Sequence, residues 1–110
     1  ASGGDGGDGL ACPEFPGPVI GPNLNVPSPE ITAFNSAVGP TGLYGGGGGA
    51  GTYGTSYVAP GGPGGGGDGG SSMEAGVNYT GGGAGGHYPG TSSEDRRLGG
   101  KGLVVLKYSI

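Results

Sequence analysis

The sequence predicts an irregular, all-β fold: a glycine-rich, polyglycine-II-like bundle with a C-terminal β-strand, a Pro-rich extended arm and no helix, in one domain covering residues 1–110. Three observations predict it. Gly and Pro together occupy 44 of the 110 positions, beyond the ~25–30% that marks low complexity, so an ordinary globular core is not expected. The glycines recur in phase and are interleaved with Tyr, Val and Leu, large apolar residues that flexible Gly/Ser linkers lack. Residues 103–110 form the longest uninterrupted run of β-branched, aromatic and long apolar side chains.

Residues 2–9 read Ser-Gly-Gly-Asp-Gly-Gly-Asp-Gly, a three-residue unit with two glycines. A backbone in the polyproline-II region turns once per three residues, so Ser2, Asp5 and Asp8 stack on one edge and bare backbone covers the other two. Such edges let neighbouring segments satisfy one another's N–H and C=O groups, with Cα–H···O contacts as a second term. Stacked Asp5 and Asp8 fall short of the six to eight oxygens Ca²⁺ takes, so a solvated acidic edge is expected and no metal site.

Residues 10–43 carry Pro13, Pro16, Pro18, Pro22, Pro27, Pro29 and Pro40. Each proline removes a donor and pushes its predecessor extended, so the stretch reads as an extended arm or insertion. Its apolar residues, among them Phe15, Val19, Ile20 and Phe34, are too many for a solvated linker and are expected to pack on a neighbour, either the glycine bundle or another subunit, which makes this segment a candidate assembly contact.

Residues 44–102 repeat the glycine phase at 44–51, 60–66, 81–87 and 98–101. A tract of about seven residues is roughly 20 Å long at ~3.1 Å per residue, comparable to an ordinary strand. Segments rich in Tyr, Thr, Ser, Asn and Pro separate the tracts and suit reversals or projecting side chains. In residues 103–110, as an extended strand, Val104, Leu106, Tyr108 and Ile110 share one face that cannot be buried without a partner. The expected role is the dry ladder anchoring the glycine tracts or pairing between chains.

Composition excludes several functions. One cysteine, Cys12, rules out an intramolecular disulfide, and a buried thiol is expected over an interchain bond. No segment of ~18 apolar residues exists to span a bilayer, and the first residues lack the charges and apolar stretch of a signal peptide, so the chain reads as a mature product or an excised fragment. Four basic residues against eight acidic ones argue against nucleic acid. The sole histidine, His87, cannot support a triad or metal cluster by itself, and no phosphate-loop pattern exists, so neither an enzyme nor a cofactor is expected.

Taken in order, Gly-Gly-Asp-Gly-Gly-Asp-Gly-Leu (3–10), Tyr-Gly-Gly-Gly-Gly-Gly-Ala-Gly (44–51), Gly-Gly-Gly-Gly-Asp-Gly-Gly (64–70), Thr-Gly-Gly-Gly-Ala-Gly-Gly (80–86) and Gly-Lys-Gly-Leu-Val-Val-Leu-Lys-Tyr (100–108) resemble the glycine-rich terminal domains of tailed-phage appendage proteins, such as those of cyanophages. Lys107 stands where those domains tend to have Arg, and the Pro-rich segment is longer than their usual link. The resemblance implies a virion or extracellular location, polyglycine-II bundles as in phage tail-fibre adhesins, and host recognition by loops between glycine tracts.

Tyr53, Tyr57, Tyr79 and Tyr88, with His87, lie beside or between those tracts. A flat apolar face with a polar tip suits contact with a host-surface glycan or protein, and equally suits capping the ends of a bundle. Asn78-Tyr79-Thr80 fits the N-glycosylation pattern, which makes Asn78 a modification candidate only in a glycosylating source. Two functions follow as expectations: a tail-fibre or adhesin tip that binds a receptor, or a self-assembling subunit of an extracellular filament. In both, the partners are copies of this chain or other subunits.

Overall fold

The computed structural model describes residues 3–51, 57–70, 73–87 and 98–110. The order of elements is β1 (Leu10–Ala11), α1 (Gly17–Ile20), a 3-10 turn (Gly21–Asn23), α2 (Ser28–Val38), β2 (Leu43–Tyr44), β3 (Val58–Ala59) and β4 (Gly69–Gly70). Strands β1 and β2 pair antiparallel with Leu10 opposite Tyr44, and β3 and β4 pair antiparallel with Val58 opposite Gly70. The fold is therefore mixed α and β. The all-β, helix-free class drawn from the sequence is overturned.

The helices form because their prolines sit where a helix tolerates them. Pro18 and Pro29 lie in the first turns of α1 and α2, where the missing N–H would have no intrahelical acceptor and the fixed φ suits the helix. In α2, Glu30 places a negative charge at the positive end of the helix dipole. Phe34 and Val38, one turn apart, are the fully buried face. Gly39, with φ 65°, stops the helix in a conformation that side chains resist, and its N–H closes on Asn35 O at 2.9 Å.

The Pro-rich segment is thus a folded insertion, and the expected extended arm is not formed. The β1–β2 pair closes its two ends, and the N–H of Gly17 donates to Gly39 O at 2.9 Å, tying the start of α1 to the end of α2. A Cβ at Gly21 would overlap Asn35 Oδ1, so glycine sets how closely the 3-10 turn approaches α2. Phe34 packs inside against Tyr44, with ring centroids 6.2 Å apart and planes tilted by 55°. Offered by the sequence as an assembly residue, Phe34 is an interior one.

Beside this insertion, glycine tracts lie backbone to backbone. Residues 45–51 are central: Gly47 and Ala50 N–H donate to Gly7 O and Gly4 O, both at 2.9 Å, and Gly46 and Gly49 N–H donate to Gly64 O and Gly67 O at 3.1 and 3.0 Å. Gly83 and Gly86 N–H donate back to Gly46 O and Gly49 O at 3.0 and 2.8 Å. On the outside, Gly6 and Gly9 N–H donate to Pro60 O and Pro63 O at 2.8 and 2.7 Å. Each contact recurs every third residue, the repeat of a helix with three residues per turn.

Glycine is required here by distance. A Cβ at Gly48 would overlap the Ala84 carbonyl oxygen, one at Gly62 would overlap Gly7 O, and one at Gly85 would overlap Asp68 O. Side-chain burial is correspondingly small: among the described residues the buried apolar side chains are Phe34, Val38, Ala59 and Met73. Hydrogen bonding between tracts, at about 0.5–1.5 kcal/mol net per bond, therefore carries a larger share of cohesion than in a side-chain core.

Residues 103–110 are not a β-strand. Strand chemistry without a pairing edge does not make a ladder, and among the described residues none of these eight exchanges a backbone hydrogen bond.

Candidate functional site

A polar cluster joins α2 to the turn at residues 78–80 and to residues 98–102. Glu30 Oε1 accepts from Asn78 Nδ2 at 3.0 Å and from the Tyr79 hydroxyl at 3.3 Å. Asn78 Oδ1 accepts from the Lys101 N–H at 2.9 Å, and the Tyr79 N–H donates to Lys101 O at 2.6 Å. Beneath them, Thr80 is buried; its hydroxyl donates to Val77 O at 2.7 Å and accepts from Gly82 N–H at 3.0 Å.

These bonds hold Tyr79 at φ 71°, the one non-glycine residue with positive φ among the described residues. Such a backbone costs of order 1–3 kcal/mol and persists only where its surroundings fix it. The gain is direction: the phenol is turned onto α2. Burial raises the Tyr79 pKa from its ordinary 10.0, with the Glu30 charge and hydrogen bond pushing the same way.

Next to this turn is a groove of about 370 Å³. Phe15, Tyr44 and Tyr79 wall it with aromatic rings, Cys12 adds a half-buried thiol, and Leu103 and Val105 form its outer lip. The Tyr44 hydroxyl is spent on Phe15 O at 2.7 Å, which fixes the ring. Burial, and then the nearby Cys12, raise the Tyr44 pKa. A second hollow of about 390 Å³, at the end of α2, is lined by glycine backbone, Val38, Pro40 and Val77 and holds no titratable group.

The terminal segment crosses the lip of the first groove and leaves it. Leu103 and Val105 are half-buried, while Val104, Leu106 and Tyr108 are 83, 81 and 79% exposed and Ile110 is fully exposed. The sequence expected this face to be the dry contact anchoring the glycine tracts or pairing between chains. Within the chain it is a run of apolar side chains turned to solvent.

The other candidates are dispersed. Tyr57 is exposed beside β3, and His87 is exposed, its backbone bridging Gly70. Tyr53 and Tyr88 lie outside the described residues. Val19 is exposed on α1, while Ile20 and Phe15 are half-buried. Asn78 is hydrogen-bonded within the fold at both ends of its amide, Nδ2 donating to Glu30 Oε1 and Oδ1 accepting from the Lys101 N–H. Of the recognition candidates among the described residues, Tyr79 is the one that reaches the groove.

Glu30 completes the site without having been singled out in the sequence, and Cys12, expected as a buried thiol, is half-buried in the groove. The signal for Glu30 was an acidic residue two places after Ser28, at the start of an apolar period of three and four. Among the described residues no group of three or more His, Cys, Asp and Glu could hold a metal ion, and no helix is long and apolar enough to cross a membrane. No protein-family model matches the chain, and neither does a curated protein or a solved structure.

Proposed function

We propose that this chain is a structural, non-enzymatic assembly module of an exposed appendage, a virion tail fibre or an extracellular fibre, in which residues 103–110 are taken up by a neighbouring subunit. The observation that carries this reading is the solvent-facing row Val104, Leu106, Tyr108 and Ile110 on a segment without backbone partners among the described residues. Burying four such side chains at about 1.5–3 kcal/mol each offsets the ordering of a flexible terminus. Backbone N–H and C=O groups without partners among the described residues also invite strand addition.

Electron microscopy and light scattering of the purified chain test it. Assemblies are expected from the full chain, and a chain truncated after Leu103 is expected to keep its fold by circular dichroism and amide exchange while failing to assemble. A full chain that stays monomeric at high concentration overturns the reading.

A second reading, recognition of a host-surface glycan or protein, has one specific support: the groove walled by Phe15, Tyr44 and Tyr79. Aromatic faces of this kind stack on sugar rings and on apolar side chains. Binding of the labelled chain to host cells or a glycan panel, lost on Phe15→Ala with the fold intact, supports it; binding that ignores Phe15 sinks it.

A further inference from the structure

The charges of this chain are sorted along its length. Positions 1–95 hold all eight acidic residues and no basic one, and positions 96–110 hold all four basic residues and no acidic one. Two exposed segments of the fold carry groups of opposite sign. At one, Asp5 and Asp8 are exposed on residues 3–10, with Leu10 77% exposed at the end of the same edge. At the other, Lys101 and Lys107 are exposed on the terminal segment that bears Val104, Leu106, Tyr108 and Ile110.

The edge at residues 3–10 is also open in backbone terms. Its inward groups are used: Gly6 and Gly9 N–H donate to Pro60 O and Pro63 O, while Gly4 O and Gly7 O accept from Ala50 and Gly47. Outward, a Cβ at Gly4 or Gly7 would meet nothing within 4 Å, and among the described residues the N–H groups of Asp5, Gly7 and Asp8 have no backbone acceptor. It is a bare lateral edge roughly 20 Å long at ~3.1 Å per residue, close to the reach of the terminal residues at ~3.3 Å each.

We propose, resting on the assembly reading above, that the occupant of this acidic edge is the terminal segment of a second copy of the chain. Residues 103–110 of one copy lie along residues 3–10 of the next, Lys107 sits between the carboxylates of Asp5 and Asp8, and the apolar row reaches Leu10. Backbone pairing and apolar contact hold the segment; exposed charge pairs add little affinity but fix register and exclude wrong edges. Because donor and acceptor are different patches, the contact is head-to-tail and propagates into a fibre unless the rotation closes a ring.

Mixing two chains, one with Gly7→Cys and the other with Leu106→Cys, both carrying Cys12→Ser, tests the contact under mild oxidation. A disulfide-linked heterodimer is expected, and neither chain alone should form it. Asp5→Lys with Asp8→Lys should raise the concentration needed for assembly by about tenfold or more, and adding Lys107→Glu to that chain should restore it. If the unaltered chain assembles but the pair does not cross-link, or if assembly ignores the reversal, this contact is wrong while the assembly reading stands. If the unaltered chain does not assemble at all, both fail.

Discussion

Glu30 and Asn78 stand 48 positions apart in sequence and are joined by a 3.0 Å hydrogen bond from Nδ2 to Oε1. The same oxygen takes the Tyr79 hydroxyl, so a single carboxylate links α2 to the turn between two glycine tracts.

Removing that carboxylate separates two effects. Glu30→Ala leaves both donors without an acceptor and is expected to cost about 1–3 kcal/mol. Glu30→Gln keeps an acceptor oxygen without the charge and should cost less. Urea denaturation midpoints of the two variants check the order.

Phe34 is the largest interior side chain among the described residues, and Phe34→Ala should lower stability by about 3–5 kcal/mol through lost burial and the cavity left against Tyr44. In a domain with so few buried side chains this is expected to unfold much of the population. Near-ultraviolet circular dichroism, which reads the fixed Tyr44 ring, monitors it.

Adding one methyl group to a glycine should have opposite results at two places. Gly48→Ala drives a Cβ into the Ala84 carbonyl and is expected to prevent folding, because backbone oxygens cannot move aside as a flexible side chain can. Gly4→Ala meets nothing within 4 Å and should be neutral or stabilising by up to about 1 kcal/mol through the unfolded chain. Thermal melts of the two single variants distinguish packing from composition.

Alkaline pH should weaken the fold through Tyr44 and Tyr79. Both phenols have folded pKa values raised above the ordinary 10.0, so their contribution is fully present below pH 10. Above it the unfolded chain loses protons that the folded chain keeps, and stability falls until the folded values are passed. A melting temperature that is flat up to pH 10 and drops beyond it is expected. Tyr44→Phe, which keeps the ring, should reduce the drop.

How much of this could be read in the chain depends on the range of the physics involved. The three-residue spacing of glycine is local, and it reappears as the spacing of hydrogen bonds between tracts. Helix α2 was also locally written: Pro29 in its first turn, Ile31, Phe34 and Val38 at helical spacing, then Gly39 and Pro40. Reading every proline as a breaker hides it, because a helix start accommodates proline. Residues 103–110 differ for the opposite reason, since strand preference describes a fit to a partner, and among the described residues this segment pairs with none. The contact of Glu30 with Asn78 and Tyr79 left no local trace: a glutamate at a helix start looks like a dipole partner whether or not a distant turn closes on it.

The tracts touch through amides and carbonyls, with few side chains between them. Unfolding such an array exposes much polar and little apolar surface, and these change the heat capacity in opposite directions. The heat-capacity increment of unfolding should fall below the ~12–15 cal/mol/K per residue usual for globular domains, so stability varies little between cold and warm water. The same glycines that leave the interior without bulk make the fold's persistence vary little across that range of temperature.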